Sequence, residues 1–321
     1  MTVVAHVLYL VGGFGALYFG AEWLVRGAAR IASTMGISPV VVGLTLVALG
    51  TSAPELVVAI YSTLEGDGGL LMGNVLGSNL ANIGLILGAT ALVSPLGVAD
   101  RVVTRDIPIM LLITVFVFPL ILDGSVDWGD GVILLVLLVV YVVFTFGTAE
   151  EEIRDIQEEV GSLTEKPEEV ARDMLRSLGL AAAGAIGLAG GGWAIVEGAT
   201  FIAEQFGLGT DKIGLTVVAV GTSLPELVTS VVAAVRRQPD LAVGNVVGSN
   251  IFNLTAVMGA AALVEGYPVG ESILAYQLPA VLALSLLVWP VAASARRVRR
   301  TEGFLLLVGC LGFMTWITLA N

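Results

Sequence analysis

Long apolar runs, separated by short polar segments, extend from one end of the chain to the other. Each run is about 20 residues or longer, which is enough for a helix to cross roughly 30 Å of hydrocarbon. The pattern predicts an all-α polytopic membrane protein with ten transmembrane helices. The predicted spans are 5–30, 38–64, 69–94, 105–122, 130–147, 174–205, 212–235, 240–264, 273–293 and 302–320.

The basic residues lie on one side of this predicted topology. Every loop that follows an odd-numbered span carries arginine, as at Arg26, Arg101, Arg176, Arg236 and Arg296, whereas the opposite loops carry mostly Asp and Glu. The positive-inside rule then places both termini outside the cell and the acidic segment 148–172 in the cytoplasm. We expect that segment to be a linker with an amphipathic helix, in a protein of the plasma membrane.

Composition narrows the function. Of 321 residues, 56% are hydrophobic and only 13% are charged. The hydrophobic share is larger than a soluble core needs. Cys310 is the only cysteine and His6 the only histidine, so an intrachain disulfide, a Ser-His-Asp triad independent of His6 and an HExxH zinc site are all excluded. We therefore expect no enzyme, no cofactor and no nucleic-acid partner, and a protein that functions as a monomer in the bilayer.

Two long motifs occur twice in the chain. Gly-Thr-Ser-x-Pro-Glu stands at 50–55 and again at 221–226, and Gly-Asn-x-x-Gly-Ser-Asn-x-x-Asn stands at 73–82 and 244–253. About half of roughly 50 aligned positions are identical, which indicates a duplication. We predict a first five-helix repeat over 1–147, with its motif at 43–93, and a second over 173–321, with its motif at 214–264. Because five is odd, the second repeat inserts upside down, and the two motifs meet near the midplane.

The motifs place carboxylates inside apolar spans. Glu55 and Glu226 have no Lys or Arg within their motif segments. An intramembrane carboxylate is expensive and indicates a functional site. The remaining ways to neutralise it are protonation or a bound cation.

Oxygen-bearing groups surround these carboxylates in the motif. Pro54 and Pro225 predict helix kinks that free backbone carbonyls, with threonine and serine hydroxyls at the same breaks. Asn74, Ser78 and Asn82 repeat at one helix face, as do their counterparts 245, 249 and 253. Asn74 and its counterpart are equally explained as packing residues, whereas Asn79 and Asn250 lie off the stripe and are predicted to be structural.

Hard oxygen donors without sulfur or imidazole favour Ca²⁺ and Na⁺ over zinc or copper. Two carboxylates balance one Ca²⁺ or nearly balance several Na⁺, so the two cations would exclude each other.

These motifs resemble the sodium/calcium exchanger family of the calcium/cation antiporter superfamily, in its compact prokaryotic form. The resemblance covers nearly the whole chain. It implies an antiporter that exchanges Na⁺ for Ca²⁺ by alternating access, with spans 1 and 6 moving against a core. It also implies twelve cation ligands, two of which, Ala48 and Ala219, contribute carbonyls only: Ala48, Thr51, Ser52, Glu55, Ser78, Asn82, Ala219, Thr222, Ser223, Glu226, Ser249 and Asn253.

Other functions stay open at this point. A proton-coupled cation antiporter of the same fold is the main alternative, since paired buried glutamates can carry protons. A passive channel is a further alternative. An intramembrane protease is suggested only by Gly-Asp-Gly at 66–68, which lies in a loop without a partner motif. Asparagine rather than aspartate at 253 argues against potassium co-transport.

Overall fold

The computed structural model describes residues 3–160, 167–205 and 219–320. Helices occupy all ten predicted spans, although the seventh is described only from Ala219 onward. Two spans are interrupted by a break, so twelve helices are labelled here in chain order. They are α1 (Val3–Met35), α2 (Pro39–Thr51), α3 (Ala53–Leu64), α4 (Gly68–Val93), α5 (Val102–Ile121), α6 (Trp128–Val160), α7 (Pro167–Gln205), α8 (Ala219–Thr222), α9 (Leu224–Val235), α10 (Pro239–Val264), α11 (Leu278–Ala293) and α12 (Arg300–Ala320).

Seven helical segments are long and apolar enough to cross a membrane within the described residues, counting α11 with its flanking turns as Ile273–Arg296, and the bent pair α2 and α3 makes an eighth candidate. The chain is thus a multi-pass helical membrane protein. The acidic linker is largely helical: α6 continues from the predicted fifth span to Val160, and α7 begins at Pro167. Residues 161–166 of the linker lie outside the described residues.

The middle of the bundle is formed by α4 and α10. About four fifths of their apolar windows are buried (78% and 83%), whereas only 33% is buried in α1 and in α7. A helix that is buried on nearly every side can carry polar residues away from lipid. The two helices therefore position the asparagine and serine stripes inside the protein.

Short antiparallel strand pairs, which the all-α prediction did not include, join the two halves of the chain. β1 (Leu96–Gly97) pairs with β4 (Arg297–Val298), and β2 (Ser125–Val126) pairs with β3 (Tyr267–Pro268). Each pair thus takes one strand from the first half and one from the second. The pairing satisfies backbone groups at the points where the chain leaves its helices.

The strand pairs also give the relative direction of α4 and α10. α4 begins at Gly68, where an added Cβ would lie 3.0 Å from Cδ of Pro268 in β3. α10 ends at Val264, just before the same strand. Because one helix starts where the other ends, these two helices of equivalent sequence run antiparallel.

Backbone irregularities repeat with the sequence. π-helical turns occupy Val102–Asp106 and Ile273–Gln277, which are 171 positions apart, as are Glu55 and Glu226. A second pair, Ala81–Ile86 and Asn253–Val257, interrupts α4 and α10 at matching places. π-turns are rare and often mark functional sites. Their recurrence at the same spacing shows that the two halves share backbone irregularities as well as sequence.

Candidate functional site

The centre of the molecule contains two helix breaks with nearly the same backbone geometry. Ser52 separates α2 from α3 with φ −81° and ψ 5°, and the two helices are bent by 45°. Ser223 separates α8 from α9 with φ −84° and ψ 0°. Pro54 follows in the first turn of α3, and because proline has no N–H, the carbonyl of Gly50 loses its usual helical donor. The same local sequence therefore produces the same break in both halves.

Glu55 and Glu226 lie in the first turns of α3 and α9 and are completely buried. The hydroxyl of Ser52 donates to Oε1 of Glu226 at 3.3 Å. The other three carboxylate oxygens have no hydrogen-bond partner in the described part of the chain. The helix N-termini favour negative charge there, but burial of two such groups is costly without a compensating cation or proton.

The two carboxylates are surrounded by hydroxyl groups in a crosswise arrangement. Ser52 of the first half contacts Glu226 of the second half. In return, the hydroxyl of Thr222 from the second half lies beside Glu55, together with that of Ser78. The site is therefore shared between the halves, and neither half holds it alone.

Further hydrogen bonds between the motifs also run from one half of the chain to the other. Thr51 donates to Oδ1 of Asn245 at 3.0 Å, and Thr222 donates to Oδ1 of Asn74 at 3.5 Å. Asn74 in turn donates to the carbonyl of Glu55 at 3.1 Å, and Asn245 donates to the carbonyl of Glu226 at 3.4 Å. Equivalent residues thus make equivalent contacts, each joining a broken helix to a central one.

The remaining predicted ligands come from the two central helices. Ser78 and Ser223 place their hydroxyl oxygens 3.4 Å apart, and Ser249 lies 3.4 Å from the hydroxyl of Thr51. The π-turn that contains Asn82 contacts α9, which carries Glu226, and the π-turn that begins at Asn253 contacts α3, which carries Glu55. These placements bring the side-chain ligands of the predicted set around one buried region.

The two predicted backbone ligands, Ala48 and Ala219, are less clearly placed at the site than the side-chain ligands. The carbonyl of Ala48 accepts the backbone N–H of Ser52 at 2.9 Å and the hydroxyl of Thr51 at 3.3 Å. The carbonyl of Ala48 therefore keeps its helical hydrogen bond and is not freed by the kink at Pro54, and its role as a cation ligand stays a prediction. Ala219 begins α8, and residues 214–218 before it lie outside the described residues.

The sequence does not decide between a ligand and a packing role for Asn74 and Asn245, and it predicts a packing role for Asn79 and Asn250. The first two bind the backbone of the glutamates, as described above. The sequence does indicate that these two residues face the site, since they lie four residues before Ser78 and Ser249 on the same helix face. Asp67, the acid of the protease-like Gly-Asp-Gly, caps α4 by accepting from the N–H of Leu70 at 2.8 Å.

The fold and the site together define a multi-pass helical membrane protein that encloses paired carboxylates and neutral oxygen donors. Comparison with known proteins agrees with this class. The family model described as sodium/calcium exchanger protein matches the chain twice, over residues 5–147 and 176–319. The chain therefore belongs to the sodium/calcium exchanger protein family, as its motifs predicted.

Individual relatives match over nearly their full length. The chain is 35% identical to the putative antiporter CaxA of Alkalimonas amylolytica, covering 97% of this chain and 98% of the relative. It is 32% identical to the sodium/calcium exchanger MaX1 of Methanosarcina acetivorans, with 97% and 98% covered. Its fold matches a solved structure of the sodium-calcium exchanger NCX_Mj with a TM-score of 0.84 and 32% identity, covering 100% of this chain and 99% of that one. Family and fold together support a cation antiporter.

Proposed function

We propose that the protein exchanges Na⁺ for Ca²⁺ across the membrane at the buried site between the two motifs. The observation that carries this proposal is the pair Glu55 and Glu226, fully buried, with three of four carboxylate oxygens unpartnered in the described residues. The proposed ligands are the twelve residues implied by the motifs. The relatives named as sodium/calcium exchangers support the choice of cations.

Competition between the cations follows from charge and donor type. Ca²⁺ takes 6–8 oxygen ligands, and carboxylates, hydroxyls and amide carbonyls are the donors it prefers. Either one Ca²⁺ or a small number of Na⁺ ions offsets the two negative charges of Glu55 and Glu226. Because both cargoes neutralise the same carboxylates, occupation by one disfavours the other, which is what coupled exchange requires.

Alternating access is proposed to use an inverted repeat of five helices in each half, ten in all. Three observations support it: the antiparallel course of α4 and α10, the two strand pairs that each join one half to the other, and the match of the family model to both halves. Repeats of this kind give two related gates on opposite sides of a midplane site. We further propose that the termini are extracellular, that 148–172 is cytoplasmic, and that one chain is sufficient for transport.

Proton coupling is the second candidate. Two carboxylates that share one buried region repel each other, and protons relieve that repulsion as well as metal cations do. Both functions use the same residues, so only the coupling ion separates them.

Purified protein in sealed vesicles tests the assignment. Vesicles loaded with Na⁺ are diluted into ⁴⁵Ca²⁺, and uptake is compared with vesicles loaded with K⁺ or choline, with pH clamped. We expect uptake only with internal Na⁺. Uptake driven by a pH gradient without Na⁺ would establish the proton-coupled alternative instead.

A further inference from the structure

A hydrogen bond between two side-chain amides joins the central helices. Asn82 of α4 donates from Nδ2 to Oδ1 of Asn250 in α10, at 3.1 Å. Oδ1 of Asn82 has no partner among the described residues, and both side chains are about 1% exposed. The donor end of the Asn82 amide is thus occupied, and its acceptor end is left available inside the protein.

The orientation of Asn250 is itself fixed by two neighbours. Its Nδ2 donates to the thioether sulfur of Met110 at 3.5 Å, so its Oδ1 must face the other way, toward Asn82. Its backbone carbonyl accepts Nδ2 of Asn79 at 3.2 Å. Met110 is almost completely buried on α5, where a weak sulfur acceptor meets no competing water. A chain of contacts from Met110 therefore determines which end of the Asn82 amide is free.

The equivalent pair in the other half is open. By the repeat, Asn253 should donate to Oδ1 of Asn79. Instead, Oδ1 of Asn79 and both polar atoms of Asn253 have no partner in the described residues, although both side chains are fully buried. The counterpart of Met110 is Val281, which offers no acceptor to Asn79. The Asn82–Asn250 pair is thus hydrogen-bonded, whereas the Asn253–Asn79 pair is not. The two halves also differ in having Met110 in one and Val281 in the other.

The orientation of an amide matters at a cation site. The carbonyl oxygen of asparagine accepts a cation, whereas its NH₂ group carries positive hydrogens that repel one. An asparagine ligand is therefore effective only when its NH₂ group is engaged on the far side. Partners that orient a ligand commonly change metal affinity by 10–100-fold when removed.

We propose that Asn250 and Asn79 are positioning residues that orient the amides of Asn82 and Asn253 toward the transported cation. Asn250 holds Asn82 in place before the cation arrives, and the Asn79–Asn253 bond forms as the cation binds. The inference rests on the proposed function, because it takes Asn82 and Asn253 as cation ligands. It assigns a role to two residues outside the predicted ligand set.

The test is a double-mutant cycle read out as Ca²⁺ affinity by titration calorimetry on the purified full chain. Asn250→Leu removes the acceptor for Asn82, and we expect Ca²⁺ binding to weaken roughly 2- to 10-fold, the range of one neutral hydrogen bond. Asn82→Ser keeps a polar oxygen on a shorter side chain and removes the amide. In that background we expect Asn250→Leu to have almost no further effect, because no amide remains to be oriented.

A second variant covers the case in which Asn250→Leu does not fold. Met110→Leu conserves volume in the apolar core and removes only the sulfur acceptor of Asn250. We expect a smaller loss of Ca²⁺ affinity, about 2-fold, that also disappears with Asn82→Ser. For the open pair, Asn79→Leu should weaken Ca²⁺ binding in the wild type but not in Asn253→Ser.

The outcomes separate the two proposals. Unchanged Ca²⁺ affinity in Asn250→Leu, or an equal loss with and without the Asn82 amide, would overturn the positioning role while leaving exchange intact. Wild-type vesicles that show no Na⁺-dependent Ca²⁺ flux would instead refute the proposed function, whatever the variants do.

Discussion

At the scale of single residues, the site depends on groups that lie in one half of the chain and act on the other. Ser52 donates to Glu226, and Thr51 donates to Asn245, across 174 and 194 residues of sequence. The hydroxyls are therefore held in place by both halves. This shared construction means that a change at one residue affects ligands on two helices at once.

The first prediction concerns the carboxylates. Glu55→Gln or Glu226→Gln should abolish Na⁺-dependent Ca²⁺ uptake in vesicles, because a neutral amide cannot offset the cation charge. The protein should remain folded, since the three unpartnered carboxylate oxygens contribute no hydrogen bonds to stability among the described residues.

Glu65→Gln is the matched control for this prediction. Glu65 follows directly after α3 and is exposed, so its charge is solvated. Uptake should match the wild type in this variant. Wild-type uptake by Glu55→Gln would remove the carboxylate from the cation site.

At the scale of helices, α1 and α7 form a closely packed pair through glycines. A Cβ added at Gly20 of α1 would lie 2.8 Å from the backbone nitrogen of Leu188 and 2.9 Å from the carbonyl oxygen of Gly184. Gly13 meets Gly191 in the same way, whereas Gly12 and Gly15 face open space. Small residues at such a face let two membrane helices approach closely. Only part of the glycine content of the first span therefore serves this interface.

The second prediction follows from that contact. Gly20→Ala should push the two helices apart and lower stability by about 1–3 kcal/mol, as overpacking does. Gly12→Ala, in the same helix, meets nothing within 4 Å and should leave stability unchanged or slightly raised. Thermal unfolding in detergent measures both, and equal midpoints would contradict the close packing.

The third prediction concerns a charged contact between α1 and the end of α9. Nearly buried Glu22 accepts from Nε of Arg236 at 2.9 Å, pairs with its Nη2 as well, and pairs with Arg26 at 2.5 Å. Glu22→Ala leaves both arginines without this partner. We expect a loss of about 1–2 kcal/mol, less than for a fully buried pair because both arginines reach solvent.

The control for this prediction is an exposed pair elsewhere. Asp173 and Arg176 lie 3.9 Å apart, with side chains 64% and 67% exposed. Asp173→Ala should change the unfolding midpoint very little, because surface pairs contribute little. A Glu22→Ala midpoint as close to wild type as that of Asp173→Ala would show that the α1–α9 contact is not stabilising.

At the scale of the whole molecule, the orientation in the membrane is the fourth prediction. A cysteine at Ser294, in the arginine-bearing loop between α11 and α12, should react with a membrane-impermeant maleimide only after the cells are opened. A cysteine at Asp123, in an acidic loop, should react in intact cells. Native Cys310 is completely buried and should contribute little background. The reverse labelling pattern would invert the proposed topology.

The positions of the helices could be predicted because hydropathy is a local property. Spans 38–64 and 69–94 correspond closely to α2 with α3 and to α4, whose ends depend on nearby signals such as the Asp67 cap. The break at Ser52 was likewise predictable, since Pro54 acts on its own turn. The strand pairs were not, because β1 and β4 are brought together by the packing of helices between them.

What the sequence determined by itself was the membrane class, the duplicated motif, the two buried acids and the oxygen chemistry of the site. All of these depend on residue type and spacing along a single helix. Only the tertiary structure decided that Asn250 meets Asn82 and Met110 while Asn79 meets a backbone carbonyl. Those contacts depend on how helices distant in sequence are rotated and shifted against each other. In addition, the π-turns that begin at Ala81 and Asn253 change the number of residues per turn, so the helix face of the residues in them cannot be read from a regular spacing.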